Sequence, residues 1–331
     1  MQKVTVRVPG STSNLGPGFD CLGIALRIHN SVTVTRARSR QSHPRIVLET
    51  ADRFFKQAGR RAFPFSYSIM EQVPRCRGLG GSATVRLGIL LALNRLSGDL
   101  LHRLAVFRVC AELEGHPDNA APASFGGFTV VGSQRGGPTV QRFNVSSRVY
   151  FVLLVPDLEI QTKPARAILP SKISWIEAVE NCANACVTTA AFASQHYEKL
   201  RGAFSDHLHQ PFRSKLIPFL PRVIAAAEKA GALGTFLSGS GSTIAAVTLH
   251  RPQKIAAVML AAARASARTI ITHADNHGAQ SAGKLLNDGC LTSPADRQIA
   301  NADHQTTERA FAENSFTVEI KPQLHEPVVN E

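Results

Sequence analysis

The chain has 331 residues, 44% hydrophobic and 18% charged, which suits two compact lobes with real cores and excludes disorder throughout. No apolar run reaches the roughly 18–20 residues that span a bilayer, and six cysteines (21, 76, 110, 182, 186, 290) form neither a CxxC pair nor a disulfide framework. The net charge is +13: residues 1–274 hold 33 cations against 15 anions, whereas 275–331 hold 4 against 9, so nucleic acid, an anionic membrane or an anionic small substrate would each suit the body.

Met1–Val6 alternates like a strand and has no signal-peptide core, so a cytoplasmic protein is expected. From residue 3 to about 50 the pattern predicts strands at Val4/Val6/Val8, Ile24–Leu26, Val32/Val34 and Ile46–Leu48, interrupted by the loop Pro9–Asp20. The Arg-rich stretches 36–45 and 53–61 are expected at the surface, and Phe65–Ile69 as a strand. Ser82–Ser97 is apolar nearly all round and predicts a buried helix. A second helix runs from about Leu100 to Glu114 and stops at Gly115. Strands follow at 126–131 and 149–155, helices at 173–195 and 214–231, a strand–turn–strand around Gly234–Gly241, a helix at 253–266 and a closing strand at 269–272. The fold class is α+β in two lobes: residues 1–148, then 149–279, followed by an acidic, disordered tail at 280–331.

The loop Pro74-Arg75-Cys76-Arg77-Gly78-Leu79-Gly80-Gly81-Ser82-Ala83-Thr84 lies between a strand and the buried helix. Glycines let backbone approach a ligand closely, and a helix start offers unpaired N–H groups to an anion. Neither GxxxxGK[ST] nor GxGxxG is present, so this is neither a P-loop nor a dinucleotide fingerprint. A second glycine turn, Leu237–Thr243, suggests a cleft where backbone amides meet a polyphosphate.

The loop Pro9–Asp20, the loop Pro74–Thr84 and the turn Leu237–Thr243 resemble the motifs of the GHMP kinases. Glu112–Pro122, Thr162–Pro170 and Asp206–Arg213 resemble those of homoserine kinases within that superfamily. Six motifs occur in the expected order across residues 3 to about 279. The resemblance implies an N-terminal α+β lobe, a ferredoxin-like C-terminal lobe and an active site between them. It also implies transfer of the γ-phosphoryl group of ATP, with Mg2+, to the side-chain hydroxyl of L-homoserine in threonine biosynthesis. Two positions depart from the pattern: Gly81 stands in place of the first serine of Gly-Leu-Gly-Ser-Ser, and Ser242 in place of a proline.

The resemblance also carries roles to single residues. All of Pro74–Thr84 is expected to form the ATP loop, and Ser82 and Glu112 the magnesium pair, with Glu114 the rival. A zwitterionic amino acid needs an anion for its ammonium and a cation for its carboxylate. Asn14, Asp20 and Asp118 are expected on the ammonium side, and Arg166 and Arg213 as the carboxylate clamp. His116 and Asn119 flank Asp118; Asn119 stands where some related kinases carry a basic aspartate, and it cannot accept a proton. Thr162 is expected to orient the hydroxyl or a phosphate oxygen. The partner implied is the small-molecule substrate, with neither membrane nor nucleic acid; a homodimer is an option that the sequence leaves open. Two alternatives stay open: a GHMP kinase for another small alcohol, and a basic, non-catalytic binding protein on the same fold.

Overall fold

The computed structural model describes residues 2–37, 42–134 and 137–281. Its first half runs β1 (Lys3–Ser13), β2 (Leu22–Arg36), α1 (Arg45–Gln57), β3 (Phe65–Met70), α2 (Gly81–Leu96), α3 (Arg103–Glu114), α4 (Ala120–Phe125), β4 (Phe128–Gln134) and β5 (Gly137–Phe143). Then come β6 (Tyr150–Pro156), α5 (Thr162–Ala167), α6 (Trp175–Ala193), α7 (Gln210–Arg213), α8 (Leu220–Lys229), β7 (Gly234–Leu237), β8 (Ile244–Thr248), α9 (Pro252–Ala263), β9 (Ala267–Thr272) and β10 (Gln280–Ser281). No helix among the described residues is long and apolar enough to cross a membrane.

The first sheet has the order β10-β1-β2-β4-β5. β2 is long enough to pair twice along its far side, Leu22–Ile24 with β4 and Ser31–Arg36 with β3. Val4, Val6, Val8, Val32 and Val34 alternate onto one face, the period of a half-buried strand. α2, buried along Leu87–Leu93, lies on that face with α1, α3 and α4 around it.

The second sheet has the order β7-β8-β6-β9, every pair antiparallel, with α9 between β8 and β9. This is the ferredoxin-like β-α-β-β-α-β arrangement, as expected. β6, β7 and β8 are buried on both faces because both are covered, whereas the edge strand β9 is partly exposed. Phe151, Leu153, Val155, Ala245 and Val247 join Leu22, Ile24 and Phe128 in a core shared by the two sheets. The alternate residues Val152, Leu154, Ile244 and Ala246 pack under α8 and α9.

Several elements differ from expectation. Ile46–Leu48 is the first turn of α1, not a strand. The β-branched pair suits either state, but Val47, Thr50, Ala51, Phe54 and Phe55 recur at helical spacing and are buried, so packing decides. The same residues place one face of the 53–61 stretch in the core. The helix expected over 214–231 is a 3-10 turn at Ser214–Leu216 followed by α8, because Pro218 cannot donate inside a helix. α3 does stop at Gly115, at φ 77°. The expected tail overlaps β10 at its start, and residues 282–331 lie outside the described residues.

Candidate active site

The motif segments meet around one cavity of about 450 Å³. The glycine loop forms one wall. Asn30, behind it, accepts from the N–H groups of Gln72 and Val73 and donates to Thr84 Oγ1 (2.8 Å), which aims the chain into the start of α2. Gly80 precedes that helix at φ 69°, and no side chain caps it. The first amides of α2 therefore open on the cavity with their partial positive charge.

The second glycine turn braces the first. Ser238 Oγ donates to Gly78 O (2.6 Å), Thr243 N to Arg77 O (3.1 Å) and Gly239 N to Ser13 O (3.1 Å). A Cβ on Gly78 would lie 2.0 Å from Ser238 O, and one on Gly80 2.4 Å from Ser11 Oγ. Gly81 is different: a Cβ there meets nothing nearer than 3.7 Å. Ser242 is fully buried and its hydroxyl bonds Leu158 O, so the second departure is tied in place. Arg77 anchors the loop sideways to Pro156 O (2.8 Å) and Glu159 (3.3 Å). Arg75 through Ser82 line the cavity. Pro74 lies outside this wall, and Ala83 and Thr84 face the core.

Ser82 Oγ donates to Glu114 Oε2 (2.6 Å), and Arg86 Nε to Glu114 Oε1 (2.8 Å). Glu112 does not join this group: it points outward to Arg53 (2.7 Å), with 61% of its side chain exposed against 6% for Glu114. Two residues apart on a helix point nearly opposite ways, and Glu114 continues the buried stripe of Phe107, Cys110 and Ala111. Glu112 is therefore turned away from Ser82, and Glu114, its rival for the magnesium pair, is the carboxylate beside that hydroxyl. One hydroxyl and one carboxylate suit a hard cation that keeps waters and phosphate oxygens as its other ligands. Among the described residues no group of three or more His, Cys, Asp or Glu side chains is placed to hold a metal ion by itself.

The far end of the cavity is charged. Arg166 makes a bidentate pair with Asp20, at 2.9 Å and 2.5 Å. The two residues, expected to take opposite ends of a substrate, hold each other here. Arg213 is buried and bonds carbonyls, Ala165 O (3.1 Å) and Gly239 O (3.0 Å). Burial, then the neighbouring Arg166, push its guanidinium down to about 10, so it keeps its charge at neutral pH. Phe19 lies under both guanidinium groups, 5.2 Å from Arg166 and 5.4 Å from Arg213.

His209 ties these parts together. Its Nε2 donates to Gly16 O (2.9 Å), which leaves Nδ1 to accept from Arg213 (3.4 Å), and its ring stacks on Phe19. Burial pushes it down to about 4, so it is a neutral spacer. Asp206, buried beside it, accepts the N–H groups of Leu208, His209 and Gln210 and so sets the turn into α7. Asn14 is also a brace, its amide bonding Gly239 O and the Asp20 N–H at φ 70°.

Asp118 is buried and takes a hydrogen bond from His116 Nδ1 (2.7 Å). Burial favours the neutral acid, but the bond and charge of His116 outweigh it and hold the Asp118 carboxyl below its ordinary range. Burial likewise opposes charge on His116, and the bond to Asp118 carries its pKa upward. Asn119 accepts from Ser11 Oγ (2.8 Å) and donates to Ser13 Oγ (3.0 Å). Thr162, at the start of α5, lines the same cavity. Pro44, Ile46, Val47, Tyr67 and Ile69 add an apolar wall beside the glycine loop, which sequence reasoning missed because it assigned Ile46–Leu48 to a strand.

Comparison with known proteins agrees with this geometry. The N-terminal domain pattern of GHMP kinases matches residues 45–127 and the C-terminal one residues 189–265. Homoserine kinase of Desulfitobacterium hafniense is 32% identical over 83% of this chain and 99% of its own length. That of Trichormus variabilis is 35% identical over 84% and 99%. The solved homoserine kinase of Cytophaga hutchinsonii superposes with a TM-score of 0.77, at 26% identity over 85% of this chain and 98% of that one. A mevalonate kinase, at 11% identity and TM-score 0.61, shares the fold alone. The chain belongs to the GHMP kinases and, within them, to the homoserine kinase family.

Proposed function

We propose that the protein transfers the γ-phosphoryl group of ATP to the side-chain hydroxyl of L-homoserine, giving O-phospho-L-homoserine and ADP in threonine biosynthesis. The observation that carries this reading is the sequence of surfaces along one cavity. An apolar wall suits a purine, the start of α2 suits phosphates, and the Asp20/Arg166/Arg213 cluster suits a zwitterion. Mevalonate has a carboxylate but no ammonium, and a sugar has neither, so Asp20 and the two arginines together favour an amino acid.

Phosphoryl transfer is mainly positioning and charge neutralisation. In this proposal the amides of Gly81 and Ser82 receive phosphate oxygens. Ser82 and Glu114 would hold Mg2+, which when bound supplies charge neutralisation on the phosphates. Arg213 binds the substrate carboxylate, joined by Arg166 once it leaves Asp20, and the freed Asp20 carboxylate takes the ammonium. Asn119, locked by Ser11 and Ser13, fixes geometry and accepts no proton. The hydroxyl oxygen attacks the γ-phosphorus, the bond to the β,γ-bridging oxygen breaks, and the hydroxyl proton leaves with the phosphoryl oxygens or to water. His116 keeps Asp118 ionised near the ammonium, and Thr162 orients the hydroxyl.

The test is ADP release with Mg-ATP and, in parallel, L-homoserine, mevalonate or galactose. Turnover with L-homoserine alone, lost in Arg213→Ala, is the expected result. Turnover with another alcohol would overturn the substrate assignment.

A further inference from the structure

Cys182 and Cys186 lie one turn apart on α6, and both are exposed. By contrast Cys110 is buried, Cys21 is half-buried, and Cys76 sits in the glycine loop. Residues at i and i+4 share a face of a helix, and each side chain leans toward the N-terminus, so the Cys186 thiol reaches back over Cys182. The two thiols hydrogen-bond to each other. The slight burial of Cys186, then Cys182 beside it, push the Cys186 thiol above its ordinary range, so Cys186 keeps its proton near neutral pH. The surroundings are apolar: Val179 and Val187, 53% and 46% exposed, flank the pair. The charges of α6 itself are Glu177 and Glu180, with no Lys or Arg, and Glu180 is engaged by His207 (3.1 Å).

This geometry selects among the chemistries open to two thiols. A disulfide needs Cβ atoms about 3.5–4.5 Å apart, whereas i, i+4 spacing sets them at about 5–6 Å. Closing that gap would bend the turns that carry Asn181, Asn184 and Thr188. Their side chains bond Pro17 O (2.8 Å), Ser205 O (3.2 Å) and Ala203 O (3.1 Å). A zinc or harder ion needs further ligands, and among the described residues no third His, Cys, Asp or Glu is placed with the pair to hold one. Cuprous ion is drawn to thiolates, but two thiolates on one such ion make an anion, for which α6 has no cation. A trivalent arsenic centre is soft, takes two sulfurs and leaves a neutral product. Bonds of about 2.3 Å, the length of a zinc–thiolate bond, would hold the sulfurs roughly 3–4 Å apart, a span that rotation about χ1 supplies with the helix intact.

We propose that Cys182 and Cys186 form a dithiol site for trivalent arsenicals that carry one carbon group and two hydroxyls. Each thiol attacks arsenic: two As–S bonds form, two As–O bonds break, and each thiol proton leaves with a hydroxide as water. Arsenic stays trivalent, so the step needs neither oxidant nor reductant. The bridge lies on the outer face of α6, while Asn181, on the inner face, keeps its bonds to Pro17 O and the His207 N–H.

The probe is phenylarsine oxide, added to the full folded chain with excess mercaptoethanol, which strips arsenic from single thiols. Intact-mass measurement should show one phenylarsenic group retained per chain, with the far-UV helix signal unchanged and complete release by dimercaptopropanol. Cys182→Ser and Cys186→Ser should each lose the group, whereas Cys76→Ser should keep it. Serine is close to cysteine in size and both positions are exposed, so each variant should match the parent in thermal unfolding. No retention by the folded chain would overturn the proposal. So would retention that survives Cys182→Ser or Cys186→Ser, which would put the arsenic on other thiols. A loss of helix signal on binding would mean that the turn must open, and it too would overturn the proposal.

Discussion

At the glycine-loop end of the cavity the groups turned inward are mostly backbone, held in place by other backbone; at the far end they are charged side chains held by carbonyls and by one another. The first wall is rigid because Gly78 and Gly80 bring main chain within contact of Ser238 and Ser11. The second is a set of compensating charges, with Asp20 against Arg166, His116 against Asp118, and Arg213 supported by carbonyl oxygens. A backbone site fails through sterics and a charged site through desolvation. The two ends should therefore respond differently to substitution.

The largest effect is expected at the rigid end. Gly78→Ala places a Cβ at φ 71° against a carbonyl oxygen and should cost about 4 kcal/mol in denaturant unfolding. Gly81→Ser, where space is open, should stay within about 0.5 kcal/mol. Equal losses at both would erase the distinction between a braced and an open position. At the charged end, Arg213→Met should raise the KM for L-homoserine by about 10²- to 10³-fold and leave that for ATP nearly unchanged. A parallel rise in both would show that Arg213 serves the phosphate wall as well.

Between the ends, Glu114→Gln should lower kcat about 100-fold, while Glu112→Gln should change it less than about two-fold; the reverse order would restore Glu112. The smallest effect is electrostatic. The stabilisation from His116, whose pKa is raised, is complete below about pH 6.5 and is lost as pH climbs through the raised value. That from Asp118, whose pKa is lowered, is complete above about pH 3.8 and is lost as pH falls through the lowered value. The Tm difference between the protein and Asp118→Asn should thus be greatest between about pH 4 and 6.5, by a few degrees. A flat difference across that window would mean that the pair contributes shape alone.

Much of the fold is legible in the sequence where one signal dominates. α2 has no polar face, Gly115 closes α3, and β6 and β8 are apolar on both faces because helices cover one side and the other sheet the opposite side. Ile46-Val47-Leu48 misleads because three residues are too few to separate period 2 from period 3.6; Phe54 and Phe55 settle it. At the site, residue types and motifs locate the loops but not the side-chain directions. Glu112 and Glu114 differ only in helical phase, a signal present in Phe107 and Cys110. Bracing roles such as those of Asn30 and His209 depend on partners distant in the chain, which spacing along one segment cannot reveal.

After β9 closes the second sheet, the chain crosses back to the first. Asp275 bonds His29, which accepts from Arg7, and β10 pairs with β1 at Val6 and Arg7. During synthesis this return segment is made last of the described residues. The outer edge of β1 therefore waits, unpaired there, while residues 144–281 are translated, on the order of ten seconds at roughly 5–20 residues per second. The nascent first sheet carries an open flank through that interval, and it is sealed only when the ribosome has released residue 281.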